Sequence, residues 1–426
     1  MTELSRVTAA QILRSCIEDD KDLSRAVGTN QNYKKLKSND KNFCMLLVNE
    51  CFRHIGQIDM IVDKFLSHPD KIPLDVRFVL RVASAEWFFT NSPVYAVVNN
   101  AVNSVSSMRQ DKLKGLTNAV VRKICKMGKE EINNVNIKYN FPQWLVEIWT
   151  KQYGEEKTQG IMENSLKRYP LYINVKSDPE KWEKELNAKQ VMPNLLRCEE
   201  NINVVTAPGF LQGEWWVQGF ESSLPVRLLG DIKGKKVLDC CAAPGGKTAQ
   251  LVNAGANVIA IDKSHFRIRK LEENVKRLKM DVVVKADDAI TYNEEKDFDA
   301  ILIDAPCSAT GTIRKNPDVL YNKNQQQIGE LKKIQKGILD NMSKLVKVGG
   351  IIVYATCSLQ QEEGESQVNT FLRENENFKI SKVRGKDFFG FTQLINRDGM
   401  VRILPQDIDE NISSDGFFMA KLERMS

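Results

Sequence analysis

Val237-Leu238-Asp239-Cys240-Cys241-Ala242-Ala243-Pro244-Gly245-Gly246-Lys247-Thr248 runs from apolar residues through small ones to a pair of glycines. That order reads as a buried strand, a tight turn and the start of a helix. Glycines let backbone N–H groups approach a ligand at a helix N-terminus, on the carboxyl edge of a sheet where doubly wound folds hold cofactors. A phosphate-binding P-loop also ends in Gly-Lys-Thr, but it needs a glycine five positions before Gly246, and Cys241 stands there. ATP hydrolysis is therefore a poor reading of this turn.

Outward from this stretch, short apolar runs at 258–261, 282–284, 300–303 and 351–354 alternate with charged amphipathic segments at 266–278 and 328–346. The alternation predicts a Rossmann-like α/β domain over 233–426, with a doubly wound, mainly parallel sheet. Upstream, residues 9–127 keep helical spacing without strand alternation: Leu46, Leu47, Val48, Phe52 and Ile55 mark one stripe, and Val79, Leu80, Val82 and Trp87 another. An all-α domain over 1–138 follows, broken at Ser92-Pro93 and resuming over 94–105. Pro142 can open a helix whose Trp144, Leu145, Ile148 and Trp149 share a face. Residues 139–232 otherwise mix strand-like pieces such as Leu171-Tyr172-Ile173-Asn174-Val175 with polar loops, a small α+β linking subdomain.

Residues 1–140 carry 21 Lys and Arg against 15 Asp and Glu, a net +6, which accounts for the whole excess of 61 over 55 in the chain. Arg109, Lys112, Lys114, Arg122, Lys123, Lys126 and Lys129 face only Asp111 along this stretch. They are either phosphate contacts or a solvated helical surface. The 9 cysteines are scattered without paired spacing, and His54, His68 and His265 are the only histidines, so neither a disulfide framework nor a metal site is expected. No apolar run reaches the roughly 18 residues of a membrane helix, and Met1-Thr2-Glu3-Leu4-Ser5-Arg6 is not a secretory leader. A cytosolic protein with reduced thiols and no membrane partner is expected.

Acidic side chains close successive strands. Asp262 ends the second, where a carboxylate can take both hydroxyls of a ribose; Asp287 and Asp288 follow the third; Asp304 ends the fourth. Each alone is an ordinary cap or turn residue. Cysteines follow two strands, in Asp304-Ala305-Pro306-Cys307-Ser308 and in Tyr354-Ala355-Thr356-Cys357-Ser358, with Glu362 and Glu363 just beyond.

Pro244-Gly245-Gly246-Lys247-Thr248, Asp304-Ala305-Pro306-Cys307-Ser308 and Thr356-Cys357-Ser358 resemble the motifs of the Nol-Nop-Sun RNA cytosine-C5 methyltransferases. DNA cytosine methyltransferases attack with the Pro-Cys cysteine and lack the second motif. In the N-terminal third, Arg81-Val82-Ala83-Ser84-Ala85-Glu86, Pro93-Val94-Tyr95-Ala96-Val97-Val98-Asn99 and Thr117-Asn118-Ala119-Val120-Val121-Arg122-Lys123 resemble the NusB-like domain of that family's small-subunit rRNA branch. Phe141-Pro142-Gln143-Trp144-Leu145, Arg402-Ile403-Leu404-Pro405 and Asp415-Gly416-Phe417-Phe418 extend the resemblance over nearly the whole chain.

The resemblance implies that Cys241, Ala242, Ala243, Pro244, Gly245, Gly246, Lys247, Asp262, Asp287 and Asp304 contact S-adenosylmethionine, with Asp288 the alternative to Asp287. It implies Cys357 as nucleophile on C6 of a cytosine, Cys307 as the thiol that assists release, and Asp304 as the group that steadies charge at N3. The implied substrate is 16S rRNA, naked or partly assembled, at cytosine 967, acted on by a monomer. A tRNA-modifying relative and a non-catalytic NusB-like RNA-binding factor are the alternatives; the first leaves the N-terminal third without explanation. Four positions depart from the family pattern. Asn174 and Lys176 replace an Arg and an Asn, Gly219 replaces an Asp, and Gly364 replaces an Asn.

Overall fold

The computed structural model describes residues 2–200, 202–385, 388–409 and 411–426. It divides into two compact units, one of residues 1–166 with 315–323, the other of 167–314 with 324–426.

The first unit is helical, with long helices at Glu3–Ile17, Ser38–Asp63, Leu74–Phe89, Val94–Ser107 and Lys114–Lys126. Leu47, Phe52, Phe78, Leu80, Val97 and Ile124 lie in its core. The break at Ser92-Pro93 falls between two of these helices, and Pro93 is the N-cap of the second. Arg6 crosses the bundle to the buried Glu86, giving a bidentate ion pair with Nε at 2.7 Å from Oε2. Pro142 precedes Gln143–Tyr153, whose Leu145, Val146 and Trp149 are buried. The exposed side of Lys114–Lys126 carries Arg122, Lys123 and Lys126, while Thr117, Val120, Val121 and Ile124 face inward. Residues 315–323 complete this unit, with the Tyr321 hydroxyl donating to Phe52 O at 3.1 Å and the two rings 5.5 Å apart.

The second unit holds two sheets. The smaller is antiparallel, built from β1 (Tyr172–Val175), β2 (Ala188–Met192), β3 (Leu195–Cys198) and β4 (Trp215–Val217) in the order β2-β3-β1-β4. In the larger, β5 (Lys236–Cys240), β6 (Asn257–Asp262), β7 (Val283–Ala286), β8 (Phe298–Asp304) and β9 (Val346–Thr356) are parallel. Strands β10 (Phe378–Ile380), β11 (Val401–Ile403) and β12 (Phe417–Arg424) join by antiparallel pairing. The order β10-β12-β9-β8-β5-β6-β7 reverses direction between β5 and β8, so their carboxyl ends splay at the switch point where such sheets bind ligands. Leu238, Ile301, Ile303, Ile352 and Tyr354 fill the space under the helix Gln325–Leu345.

Candidate active site

The turn after β5 begins with Cys241 in the left-handed region at φ 59° and closes with Gly245 at φ 100°, the conformation only glycine adopts without strain. Helix Gly246–Asn253 starts there and aims Lys247 and Thr248 back at the sheet. The Thr248 hydroxyl donates to Asp239 Oδ2 at 2.6 Å, and Lys247 Nζ stands 2.7 Å from Asp304 Oδ2 at the end of β8. Burial works against the Lys247 ammonium, but the Asp304 carboxylate outweighs it and holds Lys247 above its usual range. Cys357 adds to that same attraction, which places the ammonium in the field of the thiol.

Asp239 is fully buried and its Oδ1 has no hydrogen-bond partner among the described residues. Burial pushes its carboxyl up to about 7, against the opposing pull of the Thr248 hydroxyl and Lys247. A buried acceptor with no donor is costly, so this atom marks a place where a ligand's donor belongs. The residues thus fit a cationic nucleoside cofactor such as S-adenosylmethionine.

Asp262 takes Ala243 N–H at 3.2 Å on Oδ2, Ser264 N–H at 3.0 Å on Oδ1, and Arg267 at 3.3 Å. Its carboxylate is therefore fixed in orientation at the end of β6. Asp287 donates its N–H to Asp262 O at 3.2 Å, while its own Oδ1 accepts from Asp288 N–H at 2.7 Å. Asp288 is engaged elsewhere, with Lys263 Nζ at 2.8 Å and Ile290 N–H at 3.0 Å, and Lys263 holds its carboxyl below the usual range. Asp288 thus has its carboxylate held by Lys263 and Ile290, whereas that of Asp287 accepts the Asp288 N–H.

Cys307 and Cys357, fifty positions apart, meet with their sulfurs 3.4 Å from each other beyond β8 and β9. Hydrogen bonding to Cys357, burial and the nearby Glu363 keep Cys307 a thiol well above the usual range. Cys241, the third thiol of the region, is pushed up to about 12 by burial and by Asp262 and Asp304, which makes it inert as a nucleophile. The floor beneath the pair is close-packed backbone: Gly311 N–H donates to Cys357 O at 2.9 Å, and a Cβ on Gly311 would stand 2.2 Å from Gly416 O.

Asp239, Ser308, Ser358, Gln335 and Glu363 were not assigned roles from the sequence. Asp239 interrupts an apolar strand, and Gln335 sits on the stripe formed by Ile328, Ile338, Leu339 and Met342. A polar residue in a buried stripe is a signal that could have found both. Of the departures, Asn174 is buried and donates to Gln218 Oε1 at 3.0 Å, and Lys176 Nζ donates to Leu278 O. Gly219 precedes Phe220–Leu228 and offers that helix no side-chain cap. A Cβ at Gly364 would stand 2.5 Å from an Arg402 terminal nitrogen, whose guanidinium pairs with Glu365, so Arg402 occupies the space a side chain there would need.

Residues 226–423 match the family of 16S rRNA methyltransferases RsmB/F, and residues 3–126 match the NusB family. The ribosomal RNA small subunit methyltransferase B of Salmonella arizonae is 30% identical, with 98% of each chain covered. Among solved structures, PH0851 superposes with a TM-score of 0.78 at 25% identity, covering 100% of this chain and 99% of its own. NSun6 from Pyrococcus horikoshii, solved with SFG, has a TM-score of 0.56 at 23% identity over 67% of this chain and 99% of its own, a likeness of fold. With its methyltransferase fold, its N-terminal NusB domain and this full-length likeness, the chain belongs to the ribosomal RNA small subunit methyltransferase B family.

Proposed function

We propose that this enzyme methylates C5 of a cytosine in 16S rRNA, at the position of cytosine 967, through a covalent bond between Cys357 and C6 of the base. The observation that carries the reading is the pair of sulfurs 3.4 Å apart at the ends of adjacent parallel strands, beside the Lys247–Asp304 pair. Bound at the turn after β5, S-adenosylmethionine supplies an electrophilic methyl group.

Lys247, whose ammonium is held above its usual range in part by Cys357, is the cation beside the attacking sulfur. The thiolate adds to C6, and the electrons of the C5–C6 double bond make C5 nucleophilic. Asp304, paired with the Lys247 ammonium at 2.7 Å, faces charge that develops at N3. After methylation a water molecule takes the C5 proton, the C5–H electrons re-form the C5–C6 double bond and the sulfur of Cys357 departs as thiolate. Cys307, protonated and in contact with that sulfur, assists the release. The target base must leave its stack to reach two half-buried thiols, which favours naked or partly assembled rRNA. We assign residues 1–138 to RNA binding through the basic face that includes Arg122, Lys123 and Lys126, residues 139–232 to a linking RNA-binding subdomain, and 233–426 to catalysis. The protein is taken to act as a cytosolic monomer.

The test is incubation with methyl-labelled cofactor and 16S rRNA, naked and in 30S particles, followed by bisulfite mapping. One 5-methylcytosine in 16S rRNA is expected, with turnover and adduct both lost in Cys357→Ala. Label in tRNA alone would overturn the substrate, and a Cys357→Ala enzyme that still turns over would overturn the nucleophile.

A further inference from the structure

The two cysteine loops share a single buried anchor. Glu363 is wholly buried, and its Oε1 accepts from Ser308 N–H at 2.9 Å and from Gln335 Nε2 at 2.9 Å. Its Oε2 accepts from the Ser358 hydroxyl at 2.6 Å and also from the Ser308 hydroxyl. Ser308 is the residue after Cys307, and Ser358 the residue after Cys357. Gln335 reaches back to Pro306 O at 2.9 Å, and Gln367 steadies Gln335 at 3.2 Å. The main-chain oxygen of Glu363 takes the Tyr354 hydroxyl at 2.8 Å, which ties the anchor to β9 itself. One carboxylate therefore collects four donors, and three of them belong to residues adjoining the two thiols.

We infer that Glu363 is the positioning residue that holds the Cys307 loop against the Cys357 loop, so that the releasing thiol stays in reach of the sulfur bonded to RNA. The inference rests on the proposed roles of the two cysteines. The four donors are buried and lose their acceptor together if the carboxylate is removed, so the loops separate in search of new partners. Addition of Cys357 to C6 needs only its own loop and Lys247, whereas release needs both loops in register. Loss of the anchor therefore falls on release first. Gln at this position keeps one oxygen for Ser308 N–H and Gln335, and its amide NH2 meets hydroxyls that can turn to accept.

Single-turnover and steady-state assays with labelled cofactor and 16S rRNA separate the steps, with denaturant-resistant protein–RNA complex as the readout. Glu363→Ala should accumulate methylated RNA bound through Cys357, the outcome also expected of Cys307→Ala. Its kcat should fall on the order of 100-fold, the cost of roughly 1 Å of misplacement, with KM within about threefold of the parent. Glu363→Gln should recover about tenfold of that loss. A Glu363→Ala enzyme that releases RNA freely would overturn the inference, as would one that loses adduct formation as completely as Cys357→Ala. If Glu363→Ala does not fold, Glu363→Gln and Ser358→Ala carry the test. Each is then expected to trap more RNA than the parent, and free release by both overturns the positioning role. The underlying reading fails separately: it falls if Cys357→Ala still forms adduct, or if Cys307→Ala turns over freely. If Cys357→Ala is inert and Cys307→Ala traps RNA while the Glu363 and Ser358 variants release it, the anchor alone is refuted.

Discussion

Replacing Asp239 with Asn should stabilise the second unit at neutral pH and weaken its grip on the cofactor. Burial raises the Asp239 carboxyl from 3.8 to about 7. Between those values the folded chain keeps a proton that the unfolded chain has released, so stability falls as pH rises from about 4 to about 7 and is flat above. At about 1.4 kcal/mol per pH unit, the full loss is roughly 4 kcal/mol, of which roughly 2 kcal/mol falls between pH 5.5 and 8.5. Asn carries no charge and still offers the Thr248 hydroxyl an acceptor, so it escapes this loss. Hydrogen exchange of β5, β6 and β8 peptides, corrected for intrinsic rates, reads opening of this unit apart from unfolding of the helical one. The advantage of Asp239→Asn should grow with pH, and calorimetry should show weaker cofactor binding. A difference between the two proteins that does not change between pH 5.5 and 8.5 would refute the account of the buried carboxyl.

Lys247→Met leaves Asp304 without its 2.7 Å partner and Cys357 without a facing ammonium. Quenched-flow assays should find adduct formation slowed on the order of 100-fold or more. Gly311→Ala forces a Cβ to 2.2 Å from Gly416 O and 2.8 Å from Cys357 O. Urea unfolding should register a loss of about 1–3 kcal/mol, with turnover lowered as the Cys357 loop shifts. Asp262→Ala should weaken cofactor binding by calorimetry, whereas Asp288→Ala, which removes only the Lys263 pair and a turn contact, should leave it near the parent value.

The parallel core was legible because β5, β6, β8 and β9 are apolar runs and the helices between them are charged, two periods that do not imitate each other. Strand β12 was not: Phe417-Phe418-Met419-Ala420-Lys421-Leu422-Glu423-Arg424 alternates only in its second half, and antiparallel pairing with β9 decides it. The smaller sheet stayed unresolved because its strands of three to five residues are too short for a period to register. Residues 315–323 follow the Cys307 loop yet pack with the helical unit, which nothing in Lys315-Asn316-Pro317-Asp318 announces. In the site, both cysteines and the strand-end aspartates could be named because each closes or follows a strand of the parallel sheet. Pairings could not be. Lys247 reads as part of a glycine turn until Asp304, 57 positions later, is brought beside it.

Two of the buried carboxylates on this edge, Glu363 and Asp239, differ in how fully they are satisfied, and that difference sorts scaffold from binding site. Glu363 has a donor at every turn, so it can rigidify the loops without needing a ligand. Asp239 has one donor and one bare oxygen, so the unliganded chain carries a penalty that a bound donor removes. Binding thus has a source of free energy within the fold, at the end of the strand where the glycine turn begins. The thiols lie between these extremes. Cys241 is buried into inertness and Cys307 is held protonated, which is consistent with the proposal that Cys357 is the thiol that attacks. Under the proposed roles, a substitution that equalised Cys307 and Cys357 would leave both sulfurs in place and still cost the order in which they act.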